Sequence, residues 1–137
     1  MKRLICVTTL LFTLLAGQAL AYNLIGADEV KANLDTKTPM VLIDIQVALE
    51  FDQHHLPGAI ATYAYPVKSE QDTTKLDAAM NELHASDAPV VIVCPRGKGG
   101  AERAYDYLKA NGVTEERLFI LKDGQAGWPY PELVQGK

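Results

Sequence analysis

The sequence is short of cysteine, of aromatic residues and of surplus positive charge, and each shortage removes a class of protein. Two cysteines in 137 residues cannot build the disulfide framework of a small secreted scaffold. Lys and Arg number 13 against 17 Asp and Glu, a formal net charge of −4. The chain therefore lacks the basic footprint of a nucleic-acid binder, and no nucleic-acid partner is expected. Aromatic residues make up 7% of the chain, and Tyr63, Tyr65, Tyr105, Tyr107 and Tyr130 form no stripe on which bases or sugars would stack. Repeats, low-complexity tracts and domain linkers are missing as well. With 48% hydrophobic and 22% charged residues, what remains is one globular domain of ordinary composition.

A short leader stands in front of that domain. Lys2 and Arg3 give a positive start, Leu4 to Ala16 runs without a charge, and Ala19-Leu20-Ala21 is a small-x-small cleavage signature before Tyr22. The apolar run is shorter than the ~20 residues a spanning helix needs, and no Cys follows it to carry a lipid. Residues 1–21 read as a cleavable signal peptide and residues 22–137 as the single mature domain. The expected location is the periplasm or the exterior of a bacterial envelope, with no membrane attachment after cleavage. The mature chain would keep 11 basic residues against 17 acidic ones, a net charge of −6, and Cys94 as its only thiol. An unpaired thiol is unusual in an oxidising compartment, where thiols tend to be paired or capped.

Periodicity then gives the fold class. Ala27 to Leu34 has Val30 and Leu34 at helical spacing, and Met40 to Ile45 (MVLIDI) is an apolar run suited to a buried strand. Val47 to His54 suits one or two helical turns before Pro57-Gly58, and Ile60 to Tyr65 alternates like a strand. Leu76, Met80 and Leu83 make Thr73 to His84 an amphipathic helix. Val90 to Val93 is a β-branched central strand, Ala101 to Ala110 a helix stopped by Asn111-Gly112, and Leu118 to Leu121 another buried strand. Strands alternating with helices predict an α/β domain with a mainly parallel sheet, whose ligands gather beyond the carboxyl ends of the strands.

That rule leads to Val93-Cys94-Pro95-Arg96-Gly97-Lys98-Gly99-Gly100-Ala101. Cys94 stands at the carboxyl end of the central strand. Gly97, Gly99 and Gly100 allow the backbone to curl and turn N–H groups towards one anion. The following helix aims its positive end at the same place, and Arg96 and Lys98 add two cations. Each feature favours thiolate over thiol, so a nucleophile is the expected product of the pattern. The plainer alternative is a small buried cysteine, which does not call for a glycine-rich, cationic loop behind it. Other anion cradles fail on spacing. Glu102 takes the third glycine of a dinucleotide fingerprint, G-x-x-x-x-G-K-[ST] is absent, and the Arg that a cysteine phosphatase needs six residues after its Cys is Gly100.

The segment from Val90 to Ala101 resembles the active-site loop of the rhodanese (sulfurtransferase) family. Leu42-Ile43-Asp44 with Glu50-Phe51 and His55-Leu56-Pro57-Gly58-Ala59 is similar to that family's first block, and Leu121-Lys122-Asp123-Gly124 with Gly127-Trp128 to its closing block. The resemblance spans roughly residues 25 to 130. It implies a rhodanese-like three-layer α/β fold, a small five-stranded parallel sheet flanked by helices, and transfer of sulfane sulfur through a Cys94 persulfide. By position, Pro95, Arg96, Gly97, Lys98 and Gly99 become the persulfide cradle, closed by Gly100. The six residues from Cys94 to Gly99 match the loop length of the sulfur-handling branch rather than its longer-looped, phosphatase-like relatives. The implied partners are a small anionic sulfur donor (thiosulfate, a polysulfide or a persulfide), a thiol, sulfite or cyanide acceptor, and an envelope redox or sulfur-carrier protein. No metal or organic cofactor is implied.

Two positions depart from the family pattern. Pro95 follows the Cys where many members carry Arg, and it removes one backbone donor from the cradle. Gln46 replaces an Arg often found two residues after Asp44, which puts recognition of substrate charge in question. The remaining candidates read as structural: His54-His55 lacks further ligands at metal spacing, His84 ends a helix, Trp128 packs in the core or walls a pocket, and Asp44 orders a turn. The alternative function is a redox-sensing or protein-binding module that keeps the fold without the enzymatic reaction.

Overall fold

The computed structural model describes residues 21–137; the leader expected over residues 1–21 lies outside the described residues but for Ala21. Strands β1 (Leu24–Ile25), β2 (Val41–Asp44), β3 (Ile60–Ala61), β4 (Val90–Val93) and β5 (Leu118–Leu121) form one sheet in the order β1-β5-β4-β2-β3. Every pairing is parallel, with Val41 to Asp44 opposite Val90 to Val93 and Val90 to Ile92 opposite Leu118 to Ile120. Helices α1 (Ala27–Asp35), α2 (Ala48–Gln53), α3 (Glu70–Thr74), α4 (Met80–Ala85) and α5 (Gly99–Ala110) complete the fold with three short 3₁₀ turns. Among the described residues no helix is long and apolar enough to cross a membrane.

The central strands are apolar at nearly every position because both sheet faces are covered. Val41, Ile43, Val90, Ile92, Leu118 and Ile120 face α4 and α5, where Leu83, Ala104, Tyr105 and Leu108 close that core. Leu42, Val91, Val93 and Leu121 face the other way, onto Val30 of α1, Leu56 and Trp128. This alternation along β2 and β4 makes the three layers, and it delivers Cys94 to the carboxyl edge of the middle strand.

Three elements differ from what periodicity predicts. The strand expected over Ile60 to Tyr65 is only Ile60–Ala61; Thr62 N–H makes the last ladder bond, to Asp44 O at 2.9 Å, and its hydroxyl donates to the same oxygen at 2.9 Å. Tyr63 then adopts φ +57°, which no strand accommodates. The helix expected over Thr73 to His84 is three pieces: a capping box of Ser69 and Asp72 starts α3 early, and Lys75 to Ala79 tightens into 3₁₀. The tighter winding, with residues three apart eclipsed, still buries Leu76 and Ala79 before Leu83 follows in α4. Strand β1 is a two-residue edge with Leu24 largely exposed, too short to leave any period.

Helix α5 starts at Gly99, two residues before the expected Ala101, and its end is as the sequence indicates. Val113 N–H reaches Leu108 O and Gly112 N–H reaches Lys109 O, a Schellman closure with Gly112 at φ +95°. His84 Nε2 lies 3.4 Å from Asn111 O at the same corner.

Candidate active site

Cys94 closes the middle strand and is almost fully buried. The chain bends through Pro95 to Lys98 and enters α5 at Gly99. Inside that bend Gly97 N–H donates to Cys94 Sγ at 2.8 Å. Gly97 sits at φ +69°, the left-handed conformation that turns its amide inward and that glycine adopts without steric cost. A sulfur anion at Cys94 therefore has an N–H donor in place. No side chain caps Lys98 at the head of α5, so the first amides of that helix remain free to act on the same charge.

A second loop braces the first. Gln125 N–H donates to Cys94 O at 2.8 Å and Ala126 N–H to Pro95 O at 2.9 Å. The approach leaves no room at Gly124: a Cβ there would lie 2.3 Å from Cys94 O and 2.6 Å from the amide nitrogens of Arg96 and Gly97. A Cβ at Gly97 would in turn lie 2.7 Å from Leu121 O. The segment after β5 thus sets the shape of the Cys94 loop, and the closing block of the sequence has a physical reason to carry glycine.

The wall on the other side is Tyr65. Its ring fills the space above Gly100, where a Cβ would come within 2.9 Å of Cδ2. Arg103 fastens this wall by donating from Nε and Nη2 to Pro66 O at 3.1 and 2.8 Å. Gly100 is accordingly buried, in the first turn of α5. Arg96 and Lys98 are both exposed and make no ion pair among the described residues. Sequence reasoning did not find Gln125, Ala126, Tyr65 or Arg103, since three of them act through backbone groups or packing and Arg103 through a backbone carbonyl.

Gln46 is structural. Its backbone N–H donates to Asp44 Oδ1 at 2.8 Å, and its Nε2 donates to Asp44 Oδ2 and to His54 O, both at 3.0 Å. It ties the end of β2 to the end of α2. His55 stacks on Phe51 at 4.1 Å and its Nδ1 lies 2.7 Å from Phe51 O, so it belongs to packing. Among the described residues no three His, Cys, Asp or Glu stand together to hold a metal. Trp128 is buried in the α1-side core, donates Nε1–H to Tyr130 O at 2.9 Å and also edges a cleft beside the loop. Packing and wall roles thus coincide in one residue.

Asp44 accepts from the Gln46 backbone and side-chain amides and makes no ion pair among the described residues. Burial pushes its carboxyl up to about 6, and the two Gln46 amides and His55 only partly offset that. The folded state therefore favours the protonated acid. Its stabilising effect is complete below the ordinary carboxylate range and is lost as pH rises from about 4 through about 6. We expect Asp44→Asn to gain on the parent by about 2 kcal/mol between pH 4 and pH 7. Urea unfolding at both pH values reads this difference, and a constant gap would show that Asp44 is not protonated on folding.

Comparison with known proteins places this geometry. The Rhodanese-like domain family matches residues 26–129, and the chain belongs to that family. No curated protein sequence matches it. Among solved structures it is similar to a Saccharomyces cerevisiae homologue of single-domain rhodanese and of the Cdc25 phosphatase catalytic domain, with TM-score 0.67, 19% identity, and 82% of this chain and 86% of that one covered. It is similar to an As–Sb reductase of Leishmania major, with TM-score 0.62, 19% identity, and 85% and 87% covered. The thiosulfate sulfurtransferase of Pseudomonas aeruginosa gives TM-score 0.61 and 17% identity, with 85% of this chain but 20% of that chain covered. At these identities the likeness concerns the fold, which serves sulfur, phosphate and arsenic chemistry alike.

Proposed function

We propose that this rhodanese-family protein is a sulfurtransferase that carries sulfane sulfur on Cys94. The observation that supports it most is the Gly97 N–H pointed at Cys94 Sγ within a bend only six residues long. In the first step the Cys94 thiolate attacks the outer sulfur of thiosulfate. A Cys94–S–S⁻ persulfide forms, and sulfite leaves with the electron pair of the broken S–S bond. In the second step a nucleophile such as cyanide attacks the outer sulfur, thiocyanate departs, and the Cys94 thiolate returns. Charge and atoms balance in both steps, and no oxidant enters.

The persulfide stays anionic throughout its lifetime, so the Gly97 amide and the uncapped start of α5 act on it in a site already shielded from water. Arg96 and Lys98 attract the dianionic donor to an otherwise acidic chain. Phosphate transfer is a poorer reading, because Tyr65 occupies the side-chain space at Gly100, where a phosphatase loop carries its Arg. Two half-reactions sharing one enzyme form predict ping-pong kinetics. Double-reciprocal plots of thiosulfate against cyanide should be parallel, and aryl phosphate should not be turned over. Intersecting plots, or Cys94-dependent phosphate release, would contradict the reading.

Export belongs to the same proposal. The Tyr22 ring packs edge-on against Tyr105 at 5.1 Å and its hydroxyl donates to Asp106 at 3.0 Å, so the residue after the cleavage signature is itself part of the packed domain. N-terminal sequencing of the protein recovered from the envelope fraction should begin at Tyr22. A protein retaining Met1 there would overturn it.

A further inference from the structure

Asp44 is the only fully buried charged side chain among the described residues. It ends β2 in register with Ala61 of β3 and with Val93 of β4, the residue before Cys94. Each carboxylate oxygen accepts one N–H, Oδ1 from the Gln46 backbone at 2.8 Å and Oδ2 from Gln46 Nε2 at 3.0 Å. The other Nε2 proton goes to His54 O, 3.0 Å away at the end of α2. Gln46 and His54 both line a cleft of about 760 Å³ that also borders Pro95 and Arg96 of the Cys94 loop. Two titratable groups act on the Asp44 charge, Glu50 of α2 against it and His55 in its favour. The neighbouring strands add none, and Thr62 gives its hydroxyl to the Asp44 backbone rather than to the carboxylate.

These bonds suit the ionised acid alone. A carboxylate accepts at both oxygens, whereas a protonated carboxyl carries an O–H that needs an acceptor of its own. Both Asp44 oxygens face N–H donors, so a proton added to this arrangement would be buried without a partner, which is costly. The backbone donor on Oδ1 is fixed by the chain. The side-chain amide on Oδ2 is free to change: a half-turn about its last bond puts Gln46 Oε1 where Nε2 stood, and Oε1 then accepts the Asp44 O–H. The same turn takes the donor away from His54 O and sets a carbonyl oxygen against it. It also parts the Nε2 protons from both acceptors they now hold.

We propose that Asp44 and Gln46 form a proton-operated switch in the cleft wall beside the Cys94 loop, in which protonation of Asp44 turns the Gln46 amide and releases the end of α2 at His54. Above the titration the amide bridges Asp44 and His54 as described, and below it the bridge is broken. Burial brings the change to about pH 6 by favouring the neutral acid. The switch consists of hydrogen bonds around Asp44 and does not depend on the sulfurtransferase reading.

The test is an NMR titration of the mature chain, labelled with ¹³C and ¹⁵N, across the range around pH 6. Asp44 Cγ reports the carboxyl, Gln46 Nε2 the amide, and the His54 and His55 backbone amides the end of α2. All three should move with one midpoint, and protection of the Nε2 protons from exchange should fall at least tenfold on the acid side. Asn carries an NH₂ where the neutral acid carries its O–H, so Asp44→Asn should hold Gln46 in the turned state at every pH. That variant keeps both histidines, so a response arising from their rings would survive in it. In Gln46→Met the carboxyl should still titrate while the His54 and His55 amides cease to follow it. Constant Nε2 protection through the Asp44 titration, a Gln46 response that persists in Asp44→Asn, or a carboxyl ionised throughout the range would each overturn the switch. The first and last are read on the unsubstituted protein, so the result stands even if a variant folds poorly.

Discussion

Cys94→Ser should lose sulfur transfer by about 10³-fold or more, the scale seen when a covalent nucleophile is removed. It should still fold. Serine is close to cysteine in shape, and its hydroxyl oxygen can accept the Gly97 N–H that now reaches Sγ. The cost of placing a hydroxyl at this buried position is about 1–2 kcal/mol, which leaves a cooperative transition at a lower temperature. Calorimetry and a thiocyanate assay on the same preparation separate the two effects. Transfer that survived in the serine variant would mean that sulfur travels without being held on residue 94. Loss of transfer with loss of folding would be read from the calorimetric trace, and Cys94→Ala would then replace the serine variant.

Gly124→Ala should be the most damaging single substitution away from the nucleophile. The new Cβ would lie 2.3 Å from Cys94 O, and its neighbours there are backbone atoms that cannot swing aside. Residue 124 also sits at φ +63°, which costs an L-residue about 1–2 kcal/mol by itself. Clash and strain together give an expected destabilisation of about 3–5 kcal/mol, with the Gln125 N–H to Cys94 O bond broken and the bend opened. Gly58→Ala is the control. It has φ +76° but nothing within 4 Å of the added carbon, so it should cost only the backbone term. Equal losses in the two variants, read by urea unfolding, would show that the close approach of the two loops does not shape the site.

These effects also explain what could be read in the chain and what could not. The buried runs VLID, VVIV and LFIL announced the three central strands, because a parallel sheet covered on both faces needs apolar residues without alternation. The glycine-rich bend after Cys94 was legible for a similar reason, since few arrangements need a thiol, a positive φ and a helix start in succession. What stayed hidden depends on residues distant in sequence. Nothing near Gly124 says that its partner is the backbone of residue 94, and nothing near Tyr65 says that its ring rests on Gly100. The structural part of Gln46 was hidden for the same cause. By pattern it is a missing Arg, whereas in the fold its amide joins the ends of β2 and α2 through Asp44 and His54. The helix expected over Thr73 to His84 failed more locally, because the capping box at Ser69 fixes where winding begins and the 3₁₀ turn then absorbs the mismatch.

The proposed site is rigid around its nucleophile. The Cys94 bend is held by β4, by α5 and by the segment after β5, so its donor geometry exists before any substrate arrives. The adjoining cleft is bounded by a terminal segment attached through a few backbone hydrogen bonds.

The intact mass of the mature protein, taken before and after thiosulfate and again after cyanide, tests the central claim most directly. The account predicts a gain of one sulfur atom that maps to the peptide containing Cys94, disappears with cyanide and is absent in Cys94→Ser. No gain from thiosulfate, from a polysulfide or from glutathione persulfide would contradict it and leave a rhodanese fold that binds or senses without carrying sulfur.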